Sequence, residues 1–380
     1  MAELLKDHLA FNNIINLADC IAEQARAQNI DFDINDYKKS LLLLSEAESG
    51  WESLTLMQRI KTAANSLYAV MPDCKGPDVV VATLRCHEQL SGWMSLVCCE
   101  YVAIHEKLTT EQSLECLKQI TEYFSAEFAI RHLLIRQPRE ALEILESWLE
   151  DDNHHVRRLV SEGTRPRLPW GVRVPLFIKN PEWVLPLLLA LRDDSSEYVG
   201  RSVANHLNDI AKDHREIVIK IAQDWLSEDS LQHLDKNQNK NRVKLIRHAC
   251  RTLFKEGEPR IMALFGYLPA DDIRCTLSCI SPEAPFNGDF EFELLLEKSG
   301  DSENKVMVDY IVYFQKANGK QAPKVFKWLD RSYTGQLTEA VVKKHSFKKI
   351  STRKYYPGAH RIEVMVNGIK KDQIEFELLK

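Results

Sequence analysis

The chain has 380 residues, long enough for two domains, because a single hydrophobic core stops growing well below that length. Its 50 basic and 55 acidic residues give a formal net charge of -5, which excludes a bulk polycation that would coat any nucleic acid or anionic membrane. The average conceals an asymmetry: residues 281–380 hold 17 Lys and Arg against 14 Asp and Glu, whereas the first 280 hold 33 against 41.

The N-terminal stretch from Met1 to Cys20 has a helical period with interspersed charges. It lacks the basic start and continuous apolar run of a signal peptide, and no apolar run in the chain approaches the length of a membrane span. Nine cysteines are scattered from Cys20 to Cys279. Cys275 and Cys279, four apart on what reads as a helix, supply two ligands without a second pair, so no metal and no cofactor are expected. An odd count in apolar settings fits reduced thiols in a bacterial-type cytosol.

From Met1 to about Ala270 apolar residues recur every three to four positions in runs of ten to eighteen, broken by Pro, Gly, Asn or Asp. This predicts consecutive amphipathic helices, clearest at 54–70, 93–104, 113–124, 141–149, 183–191, 217–225 and 243–254. A weak echo, Asp151-Asp152 before Arg158 and Asp193-Asp194 before Arg201, continues to Arg247, with steps of 43 and 46 residues. Those steps fall in the range of HEAT-type helix pairs, so the expected fold is an α-solenoid whose second helices line a concave face with arginines. The alternative for each arginine is a tie to the Asp of the preceding turn.

The most distinctive stretch is Ser161 to Gly171, SEGTRPRLPWG, which follows His154-His155-Val156-Arg157-Arg158. Gly163 and two prolines stop the helix, which puts Glu162 near its terminus with Arg165, Arg167 and Trp170 folded back beside it. An acid, two guanidinium groups and a flat aromatic face in so stiff a segment point to a site. Around Ser281 the period changes to two, and about seven short strands follow. They predict a small immunoglobulin-like sandwich over 281–380 after a helical domain over 1–280. Within it, residues 316–361 hold 12 basic and 2 acidic side chains, forming basic loops around Lys324, Lys348 and Arg353.

SEGTRPRLPWG after HHVRR, with AEFAIR (Ala126 to Arg131) upstream and RSVANHLNDIAKDH (Arg201 to His214) downstream, resembles the DNA alkylation repair glycosylases of the AlkC type. The resemblance covers most of the chain. It implies a HEAT-like array and a sandwich that clamps DNA, acting on double-stranded DNA that carries alkylated, positively charged bases, chiefly N3-methyladenine. It places Glu127, Glu162 and Asp209 as the acidic cluster and Trp170 as the aromatic wall. Without it, Glu127 (four before Arg131) and Glu162 (four after Arg158) read as ordinary helix-surface pairs. Arg131, Arg158, Arg165, Arg167, Arg201, Asn208 and Arg247 are the expected DNA contacts along the array, joined by Lys324, Lys348 and Arg353 in the tail.

An N3-methylated adenine is already cationic and leaves readily, so carboxylates need only stabilise the positive charge developing on the sugar and direct a water. Glu162 and Asp209 are expected near the sugar and Glu127 in support. Trp170 would attract the cationic base through its face. No lysine in these motifs reads as a plausible Schiff-base nucleophile, so the expected enzyme is monofunctional; it is also expected to be monomeric and free of membrane contact. No Gly-rich phosphate loop, HExxH, G-x-S-x-G or zinc-deaminase signature is present. The rival is a non-catalytic helical-repeat scaffold that binds DNA.

Overall fold

The computed structural model describes residues 5–46, 50–350 and 353–380, with the side chains of 44–46 excepted, so the first four residues of the N-terminal stretch lie outside it. The chain divides into two compact units, Met1–His214 with Leu234–Ala249, and Arg215–His233 with Cys250–Lys380.

The first unit is a succession of helices. Glu197–Ile210 shows why they form: Val199, Val203, Ala204, Leu207 and Ile210 fall on one face and are buried. That helix packs against His154–Gly163 on one side and Lys236–Ala249 on the other. Polar caps set the starts. The Thr109 hydroxyl accepts from the Gln112 N–H at 3.1 Å while Gln112 accepts from the Thr109 N–H at 3.0 Å, and Asn153 accepts from the His155 N–H at 2.9 Å.

Charged ties link successive helix pairs. Lys118 meets Asp151 at 2.8 Å, Arg157 grips Asp194 at 2.6 and 3.0 Å, and Arg242 reaches Asp193 at 2.8 Å. The ties to the Asp pairs are therefore made by Lys118, Arg157 and Arg242, not by the arginines of the sequence echo. Arg158 turns inward instead, Arg201 is exposed with Glu197 at 3.6 Å, and Arg247 is half-buried. The echo marks the repeat, but its arginines do not form a row of equivalent groups.

The second unit opens with helices that include Arg215–Trp225 and Pro259–Leu264. Among the described residues eight strands follow: β1 Ile273–Cys279, β2 Glu283–Ala284, β3 Asp289–Lys298, β4 Asn304–Gln315, β5 Gln321–Tyr333, β6 Leu337–Ser346, β7 Gly358–Val366 and β8 Ile369–Leu378. They form a three-stranded sheet, β1-β3-β6, and a five-stranded sheet, β2-β8-β7-β4-β5, antiparallel except for the β2–β8 pair. Their inward residues make one core, including Phe290, Phe292, Leu294, Val308, Val312, Val364 and Phe376. This is an immunoglobulin-like sandwich.

The strands begin at Ile273, eight residues before Ser281, so the helix expected at Cys275 and Cys279 is in fact β1. The sandwich thus contains two cysteines. Cys275 belongs to its core, and both thiols are free. Among the described residues no helix is long and apolar enough to cross a membrane.

Candidate active site

Helix His154–Gly163 carries Glu162 as its penultimate residue, and packing explains why it ends there. Gly163 presses against Ile130 so closely that a Cβ would lie 2.0 Å from Ile130 Cδ1. Beyond it the chain is strapped down by Arg131, whose guanidinium donates to the carbonyls of Gly163 (2.8 Å), Arg165 (2.6 Å) and Val172 (2.5 Å). Burial, and then the charge of Arg165, bring the Arg131 pKa down to about 10. The strapped loop holds Trp170 in the left-handed region at φ 64°, with its side chain 62% exposed. Both features are uncommon for a large aromatic residue, and backbone outliers of this kind concentrate at functional sites.

Around Glu162 the charges form a chain. Glu127 Oε2 accepts from Ser125 Oγ at 2.5 Å and from Arg158 Nη1, while Arg158 Nη2 lies 3.5 Å from Glu162 Oε1. Arg165 Nη1 donates to Glu162 Oε1 at 2.6 Å, and its Nε and Nη2 reach Asp209 Oδ2 at 2.9 and 2.8 Å. Lys212 closes the chain on Asp209 Oδ1 at 2.8 Å. Glu162 Oε2 accepts from Ser202 Oγ at 2.6 Å, which itself accepts from Ser161 Oγ at 2.7 Å. Burial opposes the charge on Arg165, but Glu162 and Asp209 outweigh it and hold the guanidinium pKa above its usual value. His206, buried behind this chain with Nδ1 2.9 Å from the Ser161 carbonyl, has its pKa pulled down to about 4 by burial.

The chain opens on a cleft of about 460 Å³ whose lining includes Glu127, Arg158, Glu162, Trp93, Trp170 and Tyr198. Arg158 lies 5.0 Å over the Tyr198 ring. Glu127 Oε1 accepts no hydrogen bond among the described residues, so one carboxylate oxygen in the cleft keeps its full capacity for a ligand or water.

Residues 275–380 match a family model described as the C-terminal Ig-like domain of the uncharacterised protein YhaZ. The chain is 34% identical over 359 residues to the uncharacterised protein YhaZ of Bacillus subtilis, covering 94% of this chain and 96% of that one. It is also similar along the full length of both chains, at 32% identity and a TM-score of 0.87, to the Pseudomonas fluorescens alkylpurine DNA glycosylase AlkC bound to DNA containing an abasic site analog. The chain belongs to the AlkC family.

In this family member the motif residues lie as follows. Glu127, Glu162 and Asp209 share one charge chain, but Glu127 and Glu162 line the cleft while Asp209, 1% exposed, stands behind Glu162 and joins it through Arg165. Of the two acids expected near the sugar, Glu162 lines the cleft and Asp209 meets it through Arg165. Arg131, expected on DNA, is fully buried and directed at backbone carbonyls, so it braces the loop. Arg158 and Arg165 lie between acids, with side chains 13% and 8% exposed, and serve as counter-charges where phosphate contacts were expected. Arg167 turns away from Glu162 to grip Asp213 at 2.7 and 2.8 Å.

Asn208 is buried, and Arg201 is exposed. Lys324 and Lys348 are exposed, and the Arg353 guanidinium lies 4.1 Å over Phe314. Sequence reasoning missed Ser125, Ser202 and Lys212, although all three stand inside or beside the quoted motifs. It also missed Trp93, whose sole signal was a Gly-Trp pair ahead of a helix.

Proposed function

We propose that the chain is a monofunctional DNA glycosylase that hydrolyses the N-glycosidic bond of cationic alkylated purines, chiefly N3-methyladenine, in duplex DNA. The observation that carries this reading is the pair Glu127 and Glu162, clamped by one arginine on the wall of a cleft that also presents an exposed, backbone-strained Trp170. A positively charged base is its own leaving group, so no acid is needed to protonate it. The barrier lies in the sugar, which passes through an oxocarbenium-like state that nearby carboxylates stabilise.

In this reading Glu162, oriented by Ser202, Arg158 and Arg165, supplies the negative charge that faces the sugar. Glu127 takes the attacking water on its unengaged oxygen and accepts its proton as the bond to the anomeric carbon forms. Asp209 fixes Arg165 and through it Glu162. Trp170 meets the cationic base through its ring face. Exposed cations of the sandwich, Lys324 and Lys348 among them, hold the DNA backbone. The enzyme works as a monomer in the cytosol.

Incubating the protein with methylated DNA and measuring released 3-methyladenine tests the reading. Normal binding to DNA with no base released would favour the non-catalytic scaffold.

A further inference from the structure

Ser125 belongs to none of the quoted motifs, yet the fold sets its hydroxyl between an acid and a guanidinium of the cleft. It lies in the connection between helices Thr110–Ile120 and Ile130–Arg136, and its neighbours are pinned on either side. The Gly92 N–H donates to the Tyr123 carbonyl at 3.2 Å, and the N–H of buried Ala126 donates to Thr121 Oγ1 at 3.3 Å. Ser125 Oγ then donates to Glu127 Oε2 at 2.5 Å and accepts from Arg158 Nη1 at 2.5 Å, while the same Nη1 also donates to Glu127 Oε2. A hydroxyl donates and accepts at once, so one serine closes a triangle with the two charged groups. All three residues line the cleft.

An arginine beside a carboxylate favours two parallel N–H···O bonds, one to each oxygen. Arg158 departs from that pattern. It meets Glu127 through Oε2 alone, keeps Nη2 3.5 Å from Glu162 Oε1, and leaves its buried Nε without a partner. Ser125 accounts for the departure. Its oxygen occupies one N–H of Nη1 and its proton goes to Oε2, so both donors converge on one carboxylate oxygen and Oε1 stays open. We infer that Ser125 is a positioning residue, which holds Arg158 to a single oxygen of Glu127 and so preserves the other oxygen for the attacking water. The inference rests on the glycosylase reading for the role of Glu127.

In Ser125→Ala nothing keeps Arg158 from closing over both oxygens of Glu127. With methylated DNA, kcat should fall about tenfold, while KM and the affinity for undamaged duplex stay within about threefold of wild type. The melting temperature should move by no more than about 4 °C. Because the serine acts through Glu127, adding Ser125→Ala to Glu127→Gln should change base release by no more than about twofold. Wild-type kcat in Ser125→Ala, a further tenfold fall in the double variant, or a loss of undamaged-duplex binding that parallels the loss of rate overturns the inference.

A second measurement does not depend on turnover. Crystal structures of the wild type and of Ser125→Ala are compared at the Arg158–Glu127 pair. Bonds to both Glu127 oxygens in the variant, against Oε2 alone in the wild type, uphold the inference. The same pairing in the two proteins overturns it. Should the wild type release no base, the glycosylase reading fails by itself and the two structures still decide what Ser125 does to Glu127.

Discussion

In the helical unit Arg157, Arg158, Arg165, Arg167 and Arg242 each hold at least one carboxylate, whereas in the sandwich Lys324, Lys343 and Arg353 gather about His345 with no described acid paired to any of them. Their charged heads lie over aromatic rings instead. Lys324 Nζ lies 5.2 Å from the Phe326 centroid, Lys343 Nζ 5.8 Å from Tyr310, and the Arg353 guanidinium 4.1 Å from Phe314. Burial, followed by the charges of Arg353, Lys343 and Lys324, pulls the His345 pKa down to about 4. The contrast separates two uses of positive charge. A cation held between acids fixes their geometry and projects little field, while cations without acids repel one another until an anion arrives.

The largest effect expected from this comparison is catalytic. Glu162→Gln keeps the shape of the charge chain and removes its central negative charge, so base release should fall about 100- to 1,000-fold while affinity for undamaged duplex stays within about threefold. Glu127→Gln and Asp209→Asn should follow in the same direction. Wild-type excision by Glu162→Gln would remove the site from the cleft. A fall in DNA binding equal to the fall in rate would recast these acids as supports of the fold.

Next comes stability. Arg165→Met leaves Glu162 and Asp209 buried with half of their counter-charge gone, and should cost about 3 to 5 kcal/mol in denaturant unfolding. Lys343→Met removes a cation that holds no acid and should move stability by no more than about 0.5 kcal/mol. Equal losses in the two variants would abolish the distinction between the units.

Acid should act on both units at once. His206 and His345 each titrate near pH 4 in the fold, against 6.5 when unfolded, so between those values the unfolded chain binds more protons. Stability therefore falls as pH drops through that window, by about 3 kcal/mol per histidine at its lower end, and is unaffected by these groups above about pH 7.5. His206→Asn, which can still donate to the Ser161 carbonyl, should remove its share of that slope. An unchanged slope would mean that His206 is not the neutral group described here.

The smallest effect is electrostatic. Replacing Lys324, Lys343 and Arg353 together with Ser should weaken DNA binding about tenfold at moderate salt and flatten the log–log salt dependence by about 2 to 3, with kcat preserved. An unchanged salt slope would deny these cations a phosphate.

Much of this was legible in the sequence, and the exceptions have physical causes. The helical period and the β alternation are local, so the two kinds of unit declare themselves, down to the helix stop at Gly163. Strand β1 was misassigned because its cysteines at 275 and 279 mimic a helical spacing, although Ile273, Cys275 and Leu277 alternate inward. Adjacent arginines defeated the repeat reading: periodicity cannot tell which of Arg157 and Arg158 points at a neighbouring Asp and which at the site. The join from Arg165 to Asp209 spans 44 residues. That from Trp93 to Trp170 spans 77. Pairings at such separations are set by tertiary packing that no local pattern records.

Trp170 carries a further consequence for anyone who breeds this protein for toughness. A left-handed backbone beneath a solvent-facing indole is a burden on the native state, and Trp170→Gly would lift it and raise the melting temperature. Selection for heat tolerance alone would therefore discard that ring early, yielding hardy proteins whose cleft has lost an aromatic wall.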